Sequence, residues 1–462
     1  MSTAKILDQL PLTLPDDLPI PLQDWLAGRP IEEVECVIPD MVGFARGKAM
    51  PTKKFAKSQR MYMSPSIFHQ TVSGNYGDID LPEMLTESDM VMVPDITTAR
   101  AVPWTADFTI QVICDLYRQD GSPVGYAPRN VLRRVLDLYK DKGWSPVVAP
   151  EMEFYLTKPN LDPTNAIEPP IGRTGRPSIS RQAYSISGVD DFGPVVDDIY
   201  DFAEAQGLEI DTITQEEGAG QLEINLKHGD PMELADEVFA YKRMIREAAL
   251  RNNCYATFMA KPIEAQPGSA MHIHQSVLDL ETGANIFSNA DGGRSDAFLH
   301  FIGGLQTYLP AVVLILAPYV NSYRRLVPDE SAPVSLEWGK DNRTVGLREP
   351  VSPPEARRIE NRVVGMDANP YLAIAATLAC GYLGLVEKIS PRDPVSRDAY
   401  ELDHDLPRDV LGAADLLEAE PKLHDILGHN FTQLYLGIKR GESNEFLQVI
   451  SPWERQHLML AV

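Results

Sequence analysis

Four stretches of the chain alternate between apolar and polar side chains with the two-residue period of a β-strand. They read VVAPEMEFYL, GQLEINL, AMHIHQSV and ARRIENRVV, and they begin at residues 147, 220, 270 and 356. Because successive side chains of a strand point to opposite faces, each stretch places its charged residues on one face and its apolar residues on the other. The pattern therefore predicts four half-buried strands.

Apolar residues at helical spacing predict the main helices. One face of APRNVLRRVLDLYKDKGW (127–144), which Gly143 closes, carries four apolar residues: Leu132, Val135, Leu136 and Tyr139. Longer helices are predicted over 230–253 and 367–389. The run LPAVVLILAPYV (309–320) contains prolines and is too short to span a bilayer, so it is predicted to be a core helix.

Changes in this pattern divide the chain into a tail and two domains. Residues 1–22 are Pro-rich and lack a period, which predicts a flexible N-terminal tail. Over 23–125, short β-rich stretches alternate with Gly, Pro and Asp turns, which predicts a small mixed domain. Residues 126–462 form the second, larger domain. Its segment 158–188 is rich in Pro, Gly, Ser and Arg, and a loop of this length is either functional or disordered.

Composition changes this picture little but excludes some partners. A hydrophobic content of 44% with 23% charged residues is ordinary for a soluble globular protein. The net charge of −24 argues against nucleic acid and against an anionic membrane, because both require a basic protein surface. The four cysteines form no CxxC pair, and the N-terminus lacks a charged-then-apolar signal pattern. The protein is therefore predicted to be soluble and cytoplasmic.

The charged faces of the four strands carry an unusual set of residues. The solvated face of a half-buried strand is the ordinary explanation for any one of them, and such faces usually mix Lys, Thr and Ser. These four faces instead carry mainly Glu, His and Arg, which predicts that they line one curved sheet around a polar cavity. Five glutamates would gather there: Glu151, Glu153, Glu216, Glu223 and Glu360.

Such a cluster requires cations. Two carboxylates 4 Å apart repel each other by about 4 kcal/mol at an effective dielectric constant of about 20. Carboxylate-rich sites with a single imidazole favour Mg²⁺ or Mn²⁺ over Zn²⁺. Two divalent ions would nearly balance five carboxylates, and two-metal sites commonly serve phosphate chemistry.

Arginines later in the chain supply the opposite charge. A salt-bridged surface also explains an Arg-rich stretch, and the sequence alone leaves that alternative open. Beside metal-binding carboxylates, planar guanidinium groups suit the phosphates of a nucleotide and a substrate carboxylate. Since the chain has neither GxxxxGK[ST] nor a GxGxxG that opens a helix, an ATP site would depend on metals and arginines. The arginines are Arg325, Arg343, Arg348, Arg358 and Arg362.

With these residues in place, eight motifs resemble those of the glutamine synthetase superfamily in order and spacing. They are ESDMVMVPD (87–95), EMEF (151–154), EEGAGQLE (216–223), PGSAMHIHQS (267–276), NSYRRLVP (321–328), NRTVGLR (342–348), RRIENR (357–362) and DANPYL (367–372). The resemblance implies an α+β fold with a small N-terminal β-grasp domain and a C-terminal catalytic domain, whose curved antiparallel sheet lines the active site. It also implies a homo-oligomer, commonly a dodecamer of two stacked hexameric rings with active sites between subunits.

The resemblance further implies a role for each matching position, with two or three Mg²⁺ or Mn²⁺ ions per active site. One metal is implied at Glu153, Glu216 and Glu223. A second metal, which bridges the nucleotide phosphates, is implied at Glu151, His272 and Glu360. The positions implied to contact ATP, the co-substrate, are His274, Ser276, Arg348 and Arg358. Those implied to hold L-glutamate are Gly268, Arg325 and Arg362, and the residue implied to stabilise the transferring phosphoryl group is Arg343.

The reaction implied is phosphorylation of the glutamate side-chain carboxylate by ATP, followed by displacement of phosphate by a nitrogen nucleophile. Members that use ammonia carry a glutamate six residues past the Arg325 position, where this chain has Ser331. They also carry an aspartate in the N-terminal domain, where the nearest stretch here is MSPSIF (63–68). The loss of both carboxylates favours a larger primary amine, and the motifs are most similar to those of γ-glutamylpolyamine (glutamate–putrescine) synthetases.

The candidates for the amine pocket are Ser331, Glu330 and Ser66. Asp329 and Glu330 have an equally good explanation as a solvated loop tip. Three alternatives remain open at this point: a glutamine synthetase that uses ammonia, a ligase for ethanolamine or a monoamine, and a catalytically inactive structural or regulatory ring.

Overall fold

The computed structural model describes residues 18–57, 60–77, 79, 86–179, 181–328 and 332–462, and within them the chain forms two β-sheets with helices packed on them. This arrangement confirms the predicted α+β class. Residues 1–17 of the predicted tail lie outside the described residues, and the first helix begins at Ile20.

The N-terminal sheet has the order β2-β1-β6-β4-β3, and β5 also pairs with β6. β1 and β6 run parallel, whereas the other neighbours are antiparallel. The predicted domain boundary near residue 125 falls after the last strand of this sheet, and it stays a prediction. The elements are α1 (Ile20–Leu26), β1 (Glu33–Pro39), β2 (Ala45–Pro51), α2 (Thr52–Lys57), β3 (Met61–Met63), β4 (Met90–Pro94), β5 (Arg100–Ala101) and β6 (Thr109–Tyr117).

The second sheet has the order β12-β13-β14-β11-β7-β9-β8, and β10 also pairs with β7. All neighbours are antiparallel except β12 and β13. Each of the four alternating stretches contributes a strand to it, as predicted. The strands are β7 (Trp144–Thr157), β8 (Ile210–Gln215), β9 (Gln221–Leu226), β10 (Tyr255–Thr257), β11 (Ile273–Asp279), β12 (Trp338–Lys340), β13 (Leu347–Glu349) and β14 (Ile359–Asn361).

Three of the predicted helices form with small changes at their ends, whereas the one predicted over 309–320 begins much earlier, at Asp296. The described part of the predicted loop 158–188 is irregular up to Ile186 apart from a bridge between Ile171 and Pro177. Four C-terminal helices were not predicted. The helices are α3 (Pro128–Asp141), α4 (Ile186–Asp190), α5 (Gly193–Gln206), α6 (Pro231–Arg251), α7 (Asp296–Leu316), α8 (Pro370–Glu387), α9 (Val410–Glu418), α10 (Pro421–Leu427), α11 (His429–Leu447) and α12 (Pro452–His457).

Helices α7 and α8 form the apolar centre of the larger domain. Both are long and apolar enough to cross a membrane, but 72% and 83% of the relevant windows are buried, so they are core helices. They approach closely because Gly304 leaves no room for a side chain: an added Cβ would lie 2.5 Å from the Cα of Gly384. The predicted helix over 309–320 ends early, at Leu316, because Pro318 disfavours a helical conformation at the residue before it.

A buried arginine joins the N-terminal sheet to the helices of the larger domain. Arg129, on α3, donates hydrogen bonds to Asp115 at 2.7 Å and to Asp95 at 3.0 Å, both from the N-terminal region. It also donates to Asp236 on α6 at 2.8 Å. Only 5% of its side chain is exposed, and of its three carboxylate partners Asp236 is the most buried, whereas Asp115 also contacts Arg133 and Asp95 is 27% exposed.

We expect Arg129→Met to lower the free energy of unfolding by about 3–5 kcal/mol, because it leaves buried carboxylates without their partner. The matched control is Arg133→Met on the same helix: Arg133 contacts Asp115 but is 38% exposed, so its loss should cost about 1 kcal/mol or less. Thermal and urea unfolding of both variants measure the difference. Equal destabilisation by the two substitutions would contradict the special role of Arg129.

Candidate active site

Strand β7 supplies the first acidic residues and fixes where they point. Met152, Phe154 and Leu156 are buried on one face of this strand. Glu151 and Glu153 therefore take the opposite face. Across the ladder to β9, Glu153 pairs with Glu223. The alternation in the sequence thus brings two carboxylates from different strands side by side.

On the other side of β7, strands β11, β14 and β13 extend the same row. His274 pairs with Glu360, and Glu360 pairs in turn with Arg348. His272 lies just before β11, and its carbonyl accepts a hydrogen bond from the backbone N–H of Glu151 at 2.9 Å. Backbone pairing therefore aligns the histidines with the acidic residues of β7 and β14.

The side chains of this row are close enough to share metal ions. Nδ1 of His272 lies 3.0 Å from Oε2 of Glu151 and 3.8 Å from Oε1 atoms of both Glu153 and Glu360. Two groups have candidate ligand atoms within 4.8 Å of one another: Glu151, His272 and Glu360, and Glu153, Glu223 and His272. The first group is the ligand set implied for one metal. The second contains two of the three residues implied for the other.

Glu216, the third residue of that implied set, lies outside the second group but lines the same cavity. Its Oε2 accepts a hydrogen bond from the backbone N–H of Glu217 at 3.1 Å. Its negative charge raises the pKa of both Glu153 and Glu223. Its assignment as a ligand stays a prediction.

The pKa values divide the five glutamates into two kinds. Burial raises the pKa of Glu151, but hydrogen bonds with His272 and His274 outweigh it, so the pKa is lowered overall. Burial acts likewise on Glu360, and the positive charge of Arg362 then lowers its pKa to about 2.

The remaining three carboxylates lack such compensation. Burial and the charges of neighbouring glutamates raise the pKa of Glu153 and Glu216, and they raise that of Glu223 to about 8. Buried, mutually repelling carboxylates of this kind suit divalent cations with oxygen ligands, so the residues fit Mg²⁺ or Mn²⁺.

The arginines of the cavity donate hydrogen bonds to three kinds of acceptor: a carboxylate, a histidine nitrogen and backbone carbonyls. Glu360 accepts hydrogen bonds from Arg348 at 2.8 Å and from Arg362 at 2.5 Å. Arg358 donates to Nδ1 of His274 at 3.2 Å. Arg325 is buried and donates to two backbone carbonyls, those of residues 362 and 363, at 2.8 and 2.9 Å. Arg343 lines the cavity, and its charge partly offsets the rise in the pKa of Glu216 that burial causes.

Two cavities meet at the carboxylate row. The first, of about 730 Å³, is lined by all six implied metal ligands together with Gly268, Arg325, Arg343, Arg348 and Arg362. The second, of about 850 Å³, is lined by His274, Ser276 and Arg358. Both include Glu151 and Asn225 in their walls. The residues implied to bind glutamate thus line the first cavity. Those implied to contact the nucleotide line the second, adjoining cavity, except for Arg348, which lines the first.

The predicted amine-pocket residues are not brought into this cavity by the described chain. Glu330 and Ser331 lie outside the described residues, as does Asp329. Ser66 lies on a short 3₁₀ helix of the N-terminal region, where its Oγ is 2.8 Å from that of Ser64. Among the described residues, it is absent from the lining of both cavities.

Sequence reasoning missed two aromatic residues in the wall of the first cavity, Tyr184 and Tyr400. The hydroxyl of Tyr400 donates to the carbonyl of Ala332 at 3.0 Å. Tyr184 is 65% exposed and has a φ of 62°, an unusual conformation for an aromatic residue. Neither residue belongs to a periodic segment, so the sequence offered no signal beyond the length of the 158–188 loop.

We expect Mg²⁺ to raise the thermal unfolding midpoint of this protein and to do so less in Glu223→Gln. Ligand at 100 times Kd stabilises a folded protein by about 2.7 kcal/mol, and the variant loses one oxygen ligand. Without Mg²⁺, Glu223→Gln should unfold at the same or a higher temperature than the wild type, because it relieves repulsion. The control is Glu281→Gln at an exposed turn. An unchanged Mg²⁺ effect in Glu223→Gln would contradict the metal role.

Comparisons with known proteins agree with this geometry. A family profile described as the glutamine synthetase catalytic domain matches residues 125–458. The chain is 34% identical to the gamma-glutamylputrescine synthetase PuuA of Escherichia coli, over 92% of this chain and 91% of that protein. It is 31% identical to a glutamate–isopropylamine ligase of a Pseudomonas species, over 79% of this chain and 80% of that one.

It is also 32% identical to a glutamine synthetase of Methanocaldococcus jannaschii, over 90% of this chain and 92% of that protein. A solved structure titled "Apo GmaS without ligand" has a TM-score of 0.81 and 26% identity, and the match covers 95% of this chain and 99% of that one. This family uses ATP and divalent metals. The chain is a member of the glutamine synthetase family of ligases.

Proposed function

We propose that this protein is an ATP-dependent ligase that joins the γ-carboxylate of L-glutamate to a primary amine, putrescine or another polyamine, through γ-glutamyl phosphate. The observation that carries this proposal is the meeting of two cavities at one row of carboxylates. One cavity offers buried arginines to a carboxylate substrate, and the other offers Arg358 and His274 to a nucleotide.

Glutamate would bind in the first cavity through Arg325 and Arg362, with Gly268 beside them. The two carbonyl bonds of Arg325 leave three of its five N–H donors for a substrate carboxylate. Burial lowers the pKa of Arg325 to about 10, so the side chain stays charged at neutral pH. A buried guanidinium of this kind binds a carboxylate with two parallel hydrogen bonds.

ATP would bind in the second cavity, with its phosphates toward Glu151. An oxygen of the glutamate γ-carboxylate attacks the terminal phosphorus, the bond to the bridging oxygen breaks, and ADP leaves. Arg343 would stabilise the negative charge on the transferring group. Bound divalent cations would supply further neutralisation of phosphate charge. The chain's own contribution is to orient the two substrates, as is usual in phosphoryl transfer.

In the second step the nitrogen of the amine attacks the carboxyl carbon of γ-glutamyl phosphate, the bond from that carbon to the phosphate oxygen breaks, phosphate leaves, and the nitrogen releases a proton to water. The cavity wall around Tyr184 and Tyr400 supports an organic amine as the nucleophile, because aromatic faces attract ammonium groups and pack on methylene chains. Two of the relatives, those named for putrescine and isopropylamine, also support an amine. Ser331 in place of the glutamate of ammonia-using members adds a third argument from sequence.

The second candidate is a glutamine synthetase that uses ammonia, which is favoured by relatives of that name at similar identity. Ethanolamine and monoamines remain alternative acceptors. An inactive ring is disfavoured because all six implied metal ligands line one cavity. We also propose a cytoplasmic homo-oligomer of stacked rings, in which a neighbouring subunit would bring Ser66 to the amine pocket.

We expect Gly268→Ala to raise the KM for glutamate by about tenfold or more, since small misplacements of binding groups are costly. An added Cβ would lie 2.5 Å from Cγ of Arg325 and 2.6 Å from the carbonyl oxygen of Ala260, so the arginine must move. The control is Gly193→Ala, where an added Cβ meets nothing within 4 Å. Steady-state kinetics of both variants decide, and an unchanged KM in Gly268→Ala would argue against this glutamate site.

A coupled ATPase assay tests the acceptor. With glutamate and Mg²⁺ present, ammonium, putrescine, spermidine, ethanolamine and isopropylamine are offered in turn. We expect the highest kcat/KM with putrescine or spermidine, with mass spectrometry identifying the γ-glutamyl amide. Turnover with ammonium at low concentration and none with the amines would contradict this proposal and favour a glutamine synthetase that uses ammonia. No turnover with any acceptor would favour the inactive ring.

A further inference from the structure

Behind the cavity, a buried aspartate holds the turn that carries Arg325. Oδ2 of Asp367 accepts a hydrogen bond from the hydroxyl of Ser322 at 2.6 Å. Oδ1 of Asp367 is buried and has no hydrogen-bond partner among the described residues. An unpaired buried oxygen of this kind is costly and calls for an explanation.

Ser322 is the fixed point of the turn. Its hydroxyl accepts a hydrogen bond from the backbone N–H of Tyr319 at 2.9 Å, and it is therefore engaged as both donor and acceptor. Its carbonyl accepts from the N–H of Arg325 at 3.1 Å, at the end of the 3₁₀ helix Ser322–Arg324. The hydroxyl thus fixes the start of the turn, and the carbonyl fixes the backbone of Arg325 at its end.

Positive charge surrounds Asp367. Burial raises the pKa of its carboxyl, while Ser322, Lys242 and Arg325 act in the opposite direction. Nζ of Lys242 donates to the carbonyl of Ala368 at 3.0 Å and so holds the adjacent backbone. The negative charges of Glu153 and Asp367 both act on Arg325 and favour its charged form against the effect of burial.

The same segment also contacts the loop that contains Gly268. The backbone N–H of Met366 donates to the carbonyl of Ser269 at 3.1 Å, and Ser269 follows Gly268 in the chain. The N–H of Ser269 in turn donates to the carbonyl of Ala260 at 2.8 Å. The segment around Asp367 thus contacts both the turn before Arg325 and the loop that contains Gly268.

We propose that Asp367 is a positioning residue for substrate glutamate, which acts through Ser322 and through its charge to hold the Arg325 guanidinium at the cavity wall. This inference rests on the proposed role of Arg325 in binding glutamate. If Asp367 only filled space, an apolar or amide side chain would do so at lower cost than a carboxylate with an unpaired oxygen. Asp367 instead offsets part of the cost of burying the charge of Arg325, and through Ser322 it fixes the position of the turn.

The test uses Asp367→Asn, Ser322→Ala and the double variant in the full-length protein. We expect each single change to raise the KM for glutamate by about tenfold while the KM for ATP changes by less than about twofold. Because both residues act in one relay, the double variant should resemble the more affected single variant. Arg325→Lys is measured in parallel and should also raise the KM for glutamate.

The matched control is Asp236→Asn. Asp236 is a buried carboxylate that also accepts a hydroxyl hydrogen bond, from Tyr371 at 2.6 Å, but it belongs to the Arg129 cluster away from the cavity. It should lower the thermal midpoint without changing the KM ratio of the two substrates. If Asp367→Asn fails to fold, Ser322→Ala decides.

Two results would overturn the inference. In the first, Arg325→Lys raises the KM for glutamate, but Asp367→Asn and Ser322→Ala leave it unchanged or alter both substrate KM values equally. In that case the proposed glutamate site stands and the positioning role falls. In the second, Arg325→Lys itself leaves the KM for glutamate unchanged. The proposed glutamate site is then wrong, and the positioning role falls with it.

Discussion

Repulsion between buried carboxylates is the constraint on which the catalytic domain depends. Five glutamates share one cavity, and among the described residues two of them, Glu151 and Glu360, accept close side-chain hydrogen bonds from histidine or arginine. Glu151 is compensated by two histidines and Glu360 by two arginines. For the other three, burial and mutual repulsion raise the pKa, so a bound cation would compete with protons for these carboxylates.

Strand β7 makes this arrangement possible because it pairs with three other strands over its 14 residues. Its polar face points Glu151 and Glu153 into the cavity, while its apolar face is part of the core. A one-residue slip in register would bury both carboxylates among apolar side chains and expose the core residues. The register that folds the domain is therefore the same register that assembles the site. Stability and ligand geometry cannot vary independently in this strand.

The periodicity of the sequence predicted which face of a strand each residue occupies. It could not predict contacts between residues that lie far apart in the chain, on which the proposed function depends. The two-residue alternation placed Glu153 and Glu223 correctly on polar faces, and the family resemblance supplied the curved antiparallel sheet, but neither predicted the order of its strands. No local signal pairs Ser322 with Asp367, which are 45 positions apart. Tyr184 lies in an aperiodic loop, where the backbone follows tertiary contacts rather than propensity. Helices α9, α10 and α12 were missed because short amphipathic segments resemble loops in sequence, whereas α11, which has 19 residues, was simply not recognised.

The hydrogen-bond partners of the arginines explain why some of them are neutralised by a carboxylate of the cavity while another keeps its charge for a substrate. Arg348 and Arg362 donate to the same carboxylate, so much of their charge serves to keep Glu360 ionised. Arg325 is held by backbone carbonyls instead, and among the described residues it forms no ion pair. Carbonyl oxygens orient a guanidinium without neutralising it, so its full charge remains for an incoming anion. Arg325 thus differs from Arg362, which donates to a carboxylate at close range, and it is the arginine of this pair that keeps more of its charge for a substrate anion.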